Sequence, residues 1–391
     1  MPVLPVLPLA SPLRGHAQPL LEEVRAGFAQ ASGVELLPKP AEEVAQEPLP
    51  ALLFLTGGTE PQALAFAAST PRPLLLLAHG AHNSLAAALE TLARLRDEGR
   101  RAWLLPQNLP GDLALFARVA ELGRALWGKR IGLLGEPSPW LVASAPAPAV
   151  LEAKLNLVVV RLPVARALGG EEGERPEGPV QGVGEAERAM AGRVHAALQR
   201  LAAEENLFAL SIACFELLAE GCTACWALAR LADAGLPAGC EGDLPGLLAL
   251  ILSQLLTGRP GFLANPVEVD LKRERLLLAH CTVPLSLTEG FLLRTHFESG
   301  LGLAVAGRVQ PGPYTLLRFG GKRLEKAFVV EGTVLAESPG REDLCRTQVW
   351  FKMPKGALQK LLREPLGNHH VLLPGHHRQV LALFHEVFLA D

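Results

Sequence analysis

Short apolar runs alternate with longer amphipathic segments over the first 130 residues of the chain. The runs at 52–58 (LLFLTGG), 73–80 (PLLLLAHG) and 102–107 (AWLLPQ) have the length of buried strands and are bounded by turn residues. The stretch at 83–99 (NSLAAALETLARLRDEG) has helical spacing and stops at glycine. Strands and helices that alternate in this way predict right-handed βαβ units and a parallel sheet.

The same alternation restarts further along the chain. Strand-like runs occur at 155–163 (LNLVVVRLP) and 206–215 (NLFALSIACF), and a helical pattern covers about 185–205. The stretch at 169–187 is rich in glycine and acidic residues, which predicts an exposed loop. These patterns predict a second α/β domain.

The pattern changes from about Asn265, where short strand-like runs are separated by glycine and proline. A helical pattern begins near His377 and closes the chain. The fold class predicted is therefore α/β, with two doubly wound parallel-sheet domains at 1–128 and 129–264. A β-rich C-terminal domain with a closing helix follows at 265–391.

Composition narrows the choice of partners. The 391 residues are 49% hydrophobic and 20% charged, with a formal net charge of −3 and no basic block. Nucleic acid and anionic membrane surfaces are therefore excluded as expected partners. The first residues do not have the pattern of a signal peptide, and the six cysteines do not form a secreted disulfide framework. We therefore expect a cytoplasmic protein with reduced thiols.

Histidines concentrate towards the C-terminus, where 362–379 (LREPLGNHHVLLPGHHRQ) holds four of the eleven. The pair His369 and His370 opens a predicted strand, so the two side chains point to opposite faces and one alone can enter a given site. His280 ends another strand, in LLLAHCTVP. A lone histidine there is more often a packed residue than a ligand.

Two carboxylates, Glu241 and Asp243, flank Gly242 just before an apolar helical pattern. They can be directed into a cleft, or Asp243 can serve as a helix N-cap with Pro245 in the first turn. Glu241 and His280 with one of the paired histidines would form a mixed nitrogen and oxygen site. Such a site suits Mn²⁺, Co²⁺, Fe²⁺ or Zn²⁺.

Three segments, GCEGDLPGLLALIL, HCTVP and GNHHVLLPGH, resemble in order and spacing the metal-binding segments of the L-fucose isomerase and L-arabinose isomerase superfamily. The resemblance is confined to the C-terminal half and indicates a divergent member. It implies a metal-dependent intramolecular oxidoreductase that interconverts an aldose and a ketose through an enediolate. It also implies a small-molecule sugar as partner and a homo-oligomer, a trimer or a hexamer.

Residue roles follow from the same resemblance. Glu241 matches a ligand of Mn²⁺ that also acts as an acid/base, and His280 and His369 match ligand histidines. The family's second carboxylate falls on Asn265 in FLANP. An amide oxygen can hold a metal but cannot accept a proton near neutral pH as a carboxylate can. The expected metal ligands are therefore Glu241, Asn265, His280 and His369, with Mn²⁺ first and Co²⁺ or Zn²⁺ as alternatives.

A second acid/base must then come from elsewhere. Asp243, His296 and Glu298 are the candidates, and Asn368 is a candidate for sugar binding. The N-terminal segment LLLLAHGAHNSLAA adds His79, His82, Asn83 and Ser84 after a strand's carboxyl end, from where they could reach a sugar in a neighbouring subunit. The competing interpretation is a helix start capped by Asn83 or Ser84.

Two other functions stay open. One is a sugar-binding or regulatory protein on the same scaffold, with Asn265 marking a lost catalytic site. The other is a lyase or epimerase that acts on a sugar derivative. Metal content and substrate turnover separate these alternatives.

Overall fold

A computed structural model describes residues 1–12, 17–169 and 173–391. The chain forms two compact units. The first holds Met1–Trp127 with Glu386–Phe388, and the second holds Gly128–His385 with Leu389–Asp391. The division into three domains stays a prediction.

Strands and helices are numbered separately in chain order. Within the described residues the strands are β1 (Val3–Leu9), β2 (Glu35–Pro38), β3 (Ala51–Phe54), β4 (Leu74–Ala78), β5 (Ala102–Pro106), β6 (Arg130–Leu134), β7 (Val158–Leu162), β8 (Val180–Gln181), β9 (Ala209–Ile212), β10 (Ala238–Cys240), β11 (Phe262–Asp270), β12 (Arg275–His280), β13 (Thr288–Arg294), β14 (Ala304–Val309), β15 (Gly312–Gly320), β16 (Lys326–Val334), β17 (Thr347–Lys352) and β18 (His370–Pro374). The α-helices are α1 (Ala17–Ser32), α2 (Ala41–Val44), α3 (Glu60–Ala68), α4 (Ser84–Asp97), α5 (Pro110–Leu126), α6 (Pro148–Leu155), α7 (Glu185–Glu204), α8 (Cys225–Asp233), α9 (Leu244–Thr257), α10 (Ala357–Arg363) and α11 (Arg378–Phe388).

The first unit is built on a five-stranded sheet in the order β2-β1-β3-β4-β5. All four strand pairs are parallel. Its central strands are continuous apolar runs that are buried throughout, as β4 illustrates with Leu74–Ala78. The order is that of a doubly wound α/β sheet and confirms the predicted parallel architecture of this part of the chain.

A second parallel sheet, β10-β9-β6-β7, lies in the other unit. In sequence order, β6 comes first, β7 is added on one side of it, and β9 is then added on the opposite side. Ligands of open α/β sheets bind outside the carboxyl ends of the strands at such a reversal. The residues that follow β6, β9 and β10 therefore surround the expected crevice.

The C-terminal part is antiparallel, as predicted. Six strands close a barrel in the order β11-β12-β17-β16-β15-β18, and β14, β13 and β8 form a small separate sheet. Strand β11 begins at Phe262, so the predicted boundary between 264 and 265 falls inside a strand. Helix α9 contacts β9 and β10 and also β11, β15 and β18. It is buried all round from Leu244 to Ser253.

The predicted exposed loop at 169–187 is described in part, because 170–172 lie outside the described residues. Within it, β8 pairs in parallel with β13. The helical pattern that follows is confirmed as α7. In the part of the chain that the structure covers, no helix has the length and apolarity needed to cross a membrane.

Candidate active site and metal centre

A cavity of about 370 Å³ opens at the carboxyl ends of the second parallel sheet. Trp140 comes from the segment after β6, Phe215 from the segment after β9, and Glu241 directly follows β10. The barrel completes the wall. The lining residues are Trp140, Cys214, Phe215, Cys225, Cys240, Glu241, Asn265, His280, Cys281, His296, Glu298, Cys345 and Asn368.

The backbone at Glu241 is in the left-handed region, with φ of 62°, and Gly242 follows at 72°. A Cβ at Gly242 would lie 2.8 Å from Pro137 Cα, so glycine is required there. The carbonyl of Glu241 accepts a hydrogen bond from the Ser138 N–H at 2.9 Å. This strained turn joins β10 to α9 and directs the Glu241 carboxylate into the cavity, as strained backbone does at functional sites.

Three buried side chains bring their ligand atoms within 4.8 Å of one another: Glu241, His280 and His369. The Oε1 atom of Glu241 lies 3.5 Å from Nε2 of His369, and the two imidazole rings are 5.4 Å apart between centroids. His369 Nε2 is buried and has no hydrogen-bond partner among the described residues. One carboxylate and two imidazoles at this separation could hold a divalent metal ion.

Asp243 contacts His369 but does not itself line the cavity. Its Oδ1 accepts the Gly246 N–H at 2.8 Å, which confirms the predicted N-cap of α9. Its Oδ2 accepts hydrogen bonds from His369 Nδ1 at 2.9 Å and from Arg318 Nη1 at 2.7 Å. Both carboxylate oxygens are thus occupied in a fully buried setting. The arrangement therefore disfavours the predicted role of Asp243 as a proton-transfer group.

The ionisation states of Asp243 and His369 at the candidate metal centre depend on each other. Burial opposes ionisation of Asp243, but Arg318 and the His369 ring outweigh burial and lower the pKa of its carboxyl to about 2. Burial also opposes the charged form of His369, yet the hydrogen bond from the ring to Asp243 and the nearby Glu241 carboxylate raise its pKa to about 9. In the metal-free protein this ring is therefore protonated at neutral pH, and a metal on Nε2 must displace a proton.

The pKa values of Glu241 and His280 are also shifted from their ordinary values. Burial raises the pKa of Glu241, but His369, His280 and the Trp140 N–H together bring it below its ordinary value. The Trp140 Nε1–H donates to Glu241 Oε2 at 2.6 Å. Burial, with the neighbouring His369 ring, lowers the pKa of His280 to about 3. His280 is therefore neutral at pH 7, the state in which imidazole binds a metal; its Nδ1 lies 2.9 Å from Thr282 Oγ1.

Further predicted residues line the same cavity. His296 is buried, its Nδ1 lies 3.1 Å from Ser299 Oγ, and its ring packs edge-on against Phe215. Burial, with a smaller effect of Arg346, lowers the pKa of His296. Glu298 is exposed, and Asn265 lies on β11. The buried Oδ1 of Asn368 has no hydrogen-bond partner in the part of the chain described.

The two histidines of the 369–370 pair diverge, as predicted from strand geometry. His370 is buried outside the group of Glu241, His280 and His369, and its ring stands edge-on to Phe328 at 5.9 Å. His376 Nε2 lies 3.4 Å from the Gly332 carbonyl oxygen. His377 is the N-cap residue of α11 without a side-chain capping bond.

The N-terminal set lies in the first unit, around the end of β4. His79 and Ser84 are buried, and Ser84 Oγ donates to the Phe54 carbonyl at 2.6 Å while accepting the His79 N–H at 3.0 Å. His82 and Asn83 are exposed and have left-handed backbones. Asn83 is the N-cap residue of α4, but its side chain makes no capping hydrogen bond. Asn83 therefore occupies the N-cap position that the competing interpretation gave it, although neither its side chain nor that of Ser84 supplies a capping hydrogen bond.

Sequence reasoning missed several residues of this site. Five of the six free cysteines line the cavity, together with Trp140 and Phe215. Open α/β sheets bind ligands at the carboxyl ends of their strands. That rule points to Trp140 and Phe215, because both follow strands of the second sheet. Arg318 was also missed. The signal was an arginine within the apolar run YTLLRFGG, since a charge in a buried strand requires a partner.

Two relatives share part of this sequence. A sulfoquinovose isomerase of Alkalicoccus urumqiensis is 31% identical over 189 residues, which cover 45% of this chain and 42% of the relative. A sulfoquinovose isomerase of Clostridium sp. (strain MSTE9) is 27% identical over 172 residues, covering 39% and 38%. The chain thus spans about two-fifths of the length of these curated relatives. No protein-family profile matches it. The chain is therefore similar to sugar isomerases over part of its length.

Proposed function

We propose that the protein is an aldose–ketose isomerase with a divalent metal centre. The observation that carries the proposal is the buried group of Glu241, His280 and His369, with ligand atoms within 4.8 Å of one another at the wall of a cavity. Its support is the similarity to two proteins named as sugar isomerases. The motif resemblance to the L-fucose and L-arabinose isomerases leads to the same reaction class.

The residues fit a metal ion. His369 Nε2 is a buried donor atom without a hydrogen-bond partner among the described residues, and Asp243 orients the ring from the other nitrogen. Asn265 is a further candidate ligand on the same wall. A bound divalent cation would act as a Lewis acid on substrate oxygens and as a template. The donor set suits Mn²⁺, with Co²⁺ or Zn²⁺ as alternatives.

The protein's own groups move the protons. Isomerisation transfers a proton between C2 and C1 of the open sugar and another between the two oxygens, so the atoms balance without a redox cofactor. Glu241 is our candidate for one transfer, and its Trp140 hydrogen bond keeps the carboxylate in place. His296 is our candidate for the second, because burial favours a neutral imidazole at pH 7. Glu298 is the alternative at the exposed side of the cavity.

The substrate class is an aldose. Sulfoquinovose is the first compound to test, because both relatives carry that name. The described cavity lining contains two glutamates and no lysine or arginine. A sulfonate would therefore need a cation from outside this lining. The unsulfonated 6-deoxyglucose is the matched comparison, since it differs at that group alone.

A catalytically altered sugar-binding protein is the second candidate. It is favoured by Asn265, which lines the cavity where the resembled enzymes carry a carboxylate. The homo-oligomer, and sugar contacts from His79, His82 and Asn83 in a neighbouring subunit, stay proposals that rest on the resemblance. Mass measurement by light scattering tests the oligomer directly.

The test of the function is metal content followed by turnover. Purified protein should contain about one divalent ion per chain by mass spectrometry of the metals, and a Glu241→Ala, His369→Ala double variant should contain none. Metal-loaded protein should then convert an aldose to a ketose in a screen that includes sulfoquinovose and 6-deoxyglucose. Sugar binding without metal or turnover would instead establish the binding protein.

A further inference from the structure

A second and larger cavity, about 650 Å³, lies on the C-terminal part of the chain away from the metal ligands. Its walls come from the start of β16, the end of α10 with the residues that follow, and one face of α11. Six charged residues line it: Lys326, Lys360, Arg363, Arg378, Glu325 and Glu364. Four positive charges against two negative ones give this groove a formal charge of +2, although the whole chain carries −3.

The four cations have exposed side chains, and none of them makes an ion pair or a side-chain hydrogen bond among the described residues. Other exposed arginines of the chain do find partners. Arg94 pairs with Glu98 at 2.6 Å, and Arg341 pairs with Asp343 at 2.6 Å. Four cations without ion-pair partners outnumber the two carboxylates on this concave surface, and the resulting local positive potential attracts an anion.

The positions of the cations are set by separate elements. Lys326 begins β16, Lys360 and Arg363 lie one turn apart on α10, and Arg378 begins α11. On α11 the small Ala382 follows Arg378 on the same face and leaves space between the walls. The floor is apolar, because Phe328 and Leu366 are buried there. A cationic wall above an apolar floor suits a compact organic anion.

We propose that this groove binds a small phosphate-bearing molecule of the size of a sugar phosphate. The volume lies within the usual range for small-molecule sites, roughly 300–1,000 Å³. Phosphate is the favoured anion because two arginines can each donate paired hydrogen bonds to its oxygens and two lysines add point charges. The groove is independent of the proposed metal centre, so binding requires neither metal nor turnover.

Calorimetry on the metal-free chain tests the proposal, with glucose 6-phosphate and inorganic pyrophosphate as probes and glucose as the neutral comparison. Both anions should bind saturably and more weakly as salt rises, whereas any binding of glucose at the proposed aldose site should be insensitive to salt. The Lys326→Gln, Lys360→Gln double variant should bind at least about tenfold more weakly, the loss of about 1.4 kcal/mol expected when two charge-assisted contacts are removed.

A matched control removes the same charge elsewhere. Lys272 and Lys352 are exposed and lie outside the groove, so the Lys272→Gln, Lys352→Gln variant should bind as the unmodified chain does. All four substitutions are at exposed positions, and circular dichroism should show that both variants are folded. Equal weakening in both variants, or no saturable binding of either anion, would overturn the site.

Discussion

Asp243 and His369 form a fully buried pair in which Nδ1 of the ring donates to the carboxylate at 2.9 Å. The two residues are 126 positions apart in the chain; Asp243 is the N-cap residue of α9, and His369 directly precedes the barrel strand β18. The carboxylate fixes the tautomer and the orientation of the ring, so Nε2 is the atom presented to Glu241 and His280. The geometry required for a metal ligand is therefore already present in the fold.

Replacing Asp243 with asparagine should weaken divalent metal binding by about 10- to 100-fold. The amide can still cap α9, so the helix start is preserved, but it no longer supplies the negative charge that orients and polarises His369. Calorimetric titration of the metal-free protein with Mn²⁺ measures the effect. Asp343→Asn, at an exposed site, is the control. Equal Mn²⁺ affinity in the two variants would rule out this role for Asp243.

Glu241→Gln should reduce turnover of the proposed isomerase by about 10²–10⁴-fold while the protein stays folded. Glutamine keeps the size of the side chain but cannot accept a proton. Steady-state kinetics at saturating metal separate this loss from weaker metal binding. Glu289→Gln, which removes an exposed carboxylate from β13, is the control. Turnover of Glu241→Gln within a few-fold of the unmodified enzyme would remove Glu241 from proton transfer.

The order of elements could be predicted because apolar periodicity is local information. The parallel sheets, α7, the antiparallel C-terminal part and the closing helix all follow from it. The predicted boundary at 264 and 265 falls inside β11, because this strand starts soon after the turn that ends α9. Nothing in the local pattern of Phe262–Ala264 distinguishes a barrel strand from a strand of the preceding sheet.

The site was predictable to a smaller extent. Glu241, His280 and His369 were found through motifs, and strand alternation separated His369 from His370. Arg318 was not found, because its approach to Asp243 depends on barrel closure. Strand β15 pairs with β18 in a register that sets Leu316 opposite Leu372. That register is a non-local property, and sequence periodicity carries no information on it.

Arg318 should be important for stability. Its side chain is 1% exposed and donates to Asp243 at 2.7 Å. Arg318→Met leaves the buried Asp243 carboxylate with one cationic partner fewer, and removing one member of a buried ion pair typically costs about 3–5 kcal/mol. Denaturant unfolding measures the free energy. The exposed Arg341→Met should cost less than about 1 kcal/mol. A similar small cost for Arg318→Met would show that Asp243 is stabilised without the guanidinium.

Stability should fall in acid because of His370. Burial, followed by the charge of Arg318, lowers the pKa of this histidine to about 3 in the folded protein, against an ordinary value of 6.5. From about pH 6.5 down to about pH 3 the unfolded chain therefore binds a proton that the folded chain does not. The free energy of unfolding should decrease by about 1.4 kcal/mol per pH unit for this group within that window.

His370→Gln should reduce the acid slope by that amount, because glutamine does not titrate. The comparison is made by urea unfolding between pH 4 and pH 7 with a chelator present, so that metal binding does not contribute. His280, whose pKa burial also lowers to about 3, produces a similar slope that remains in the variant. His369 acts in the opposite sense, since its pKa of about 9 contributes stability that is lost as pH rises towards 9. An unchanged acid slope in His370→Gln would mean that this ring takes up its proton inside the folded protein.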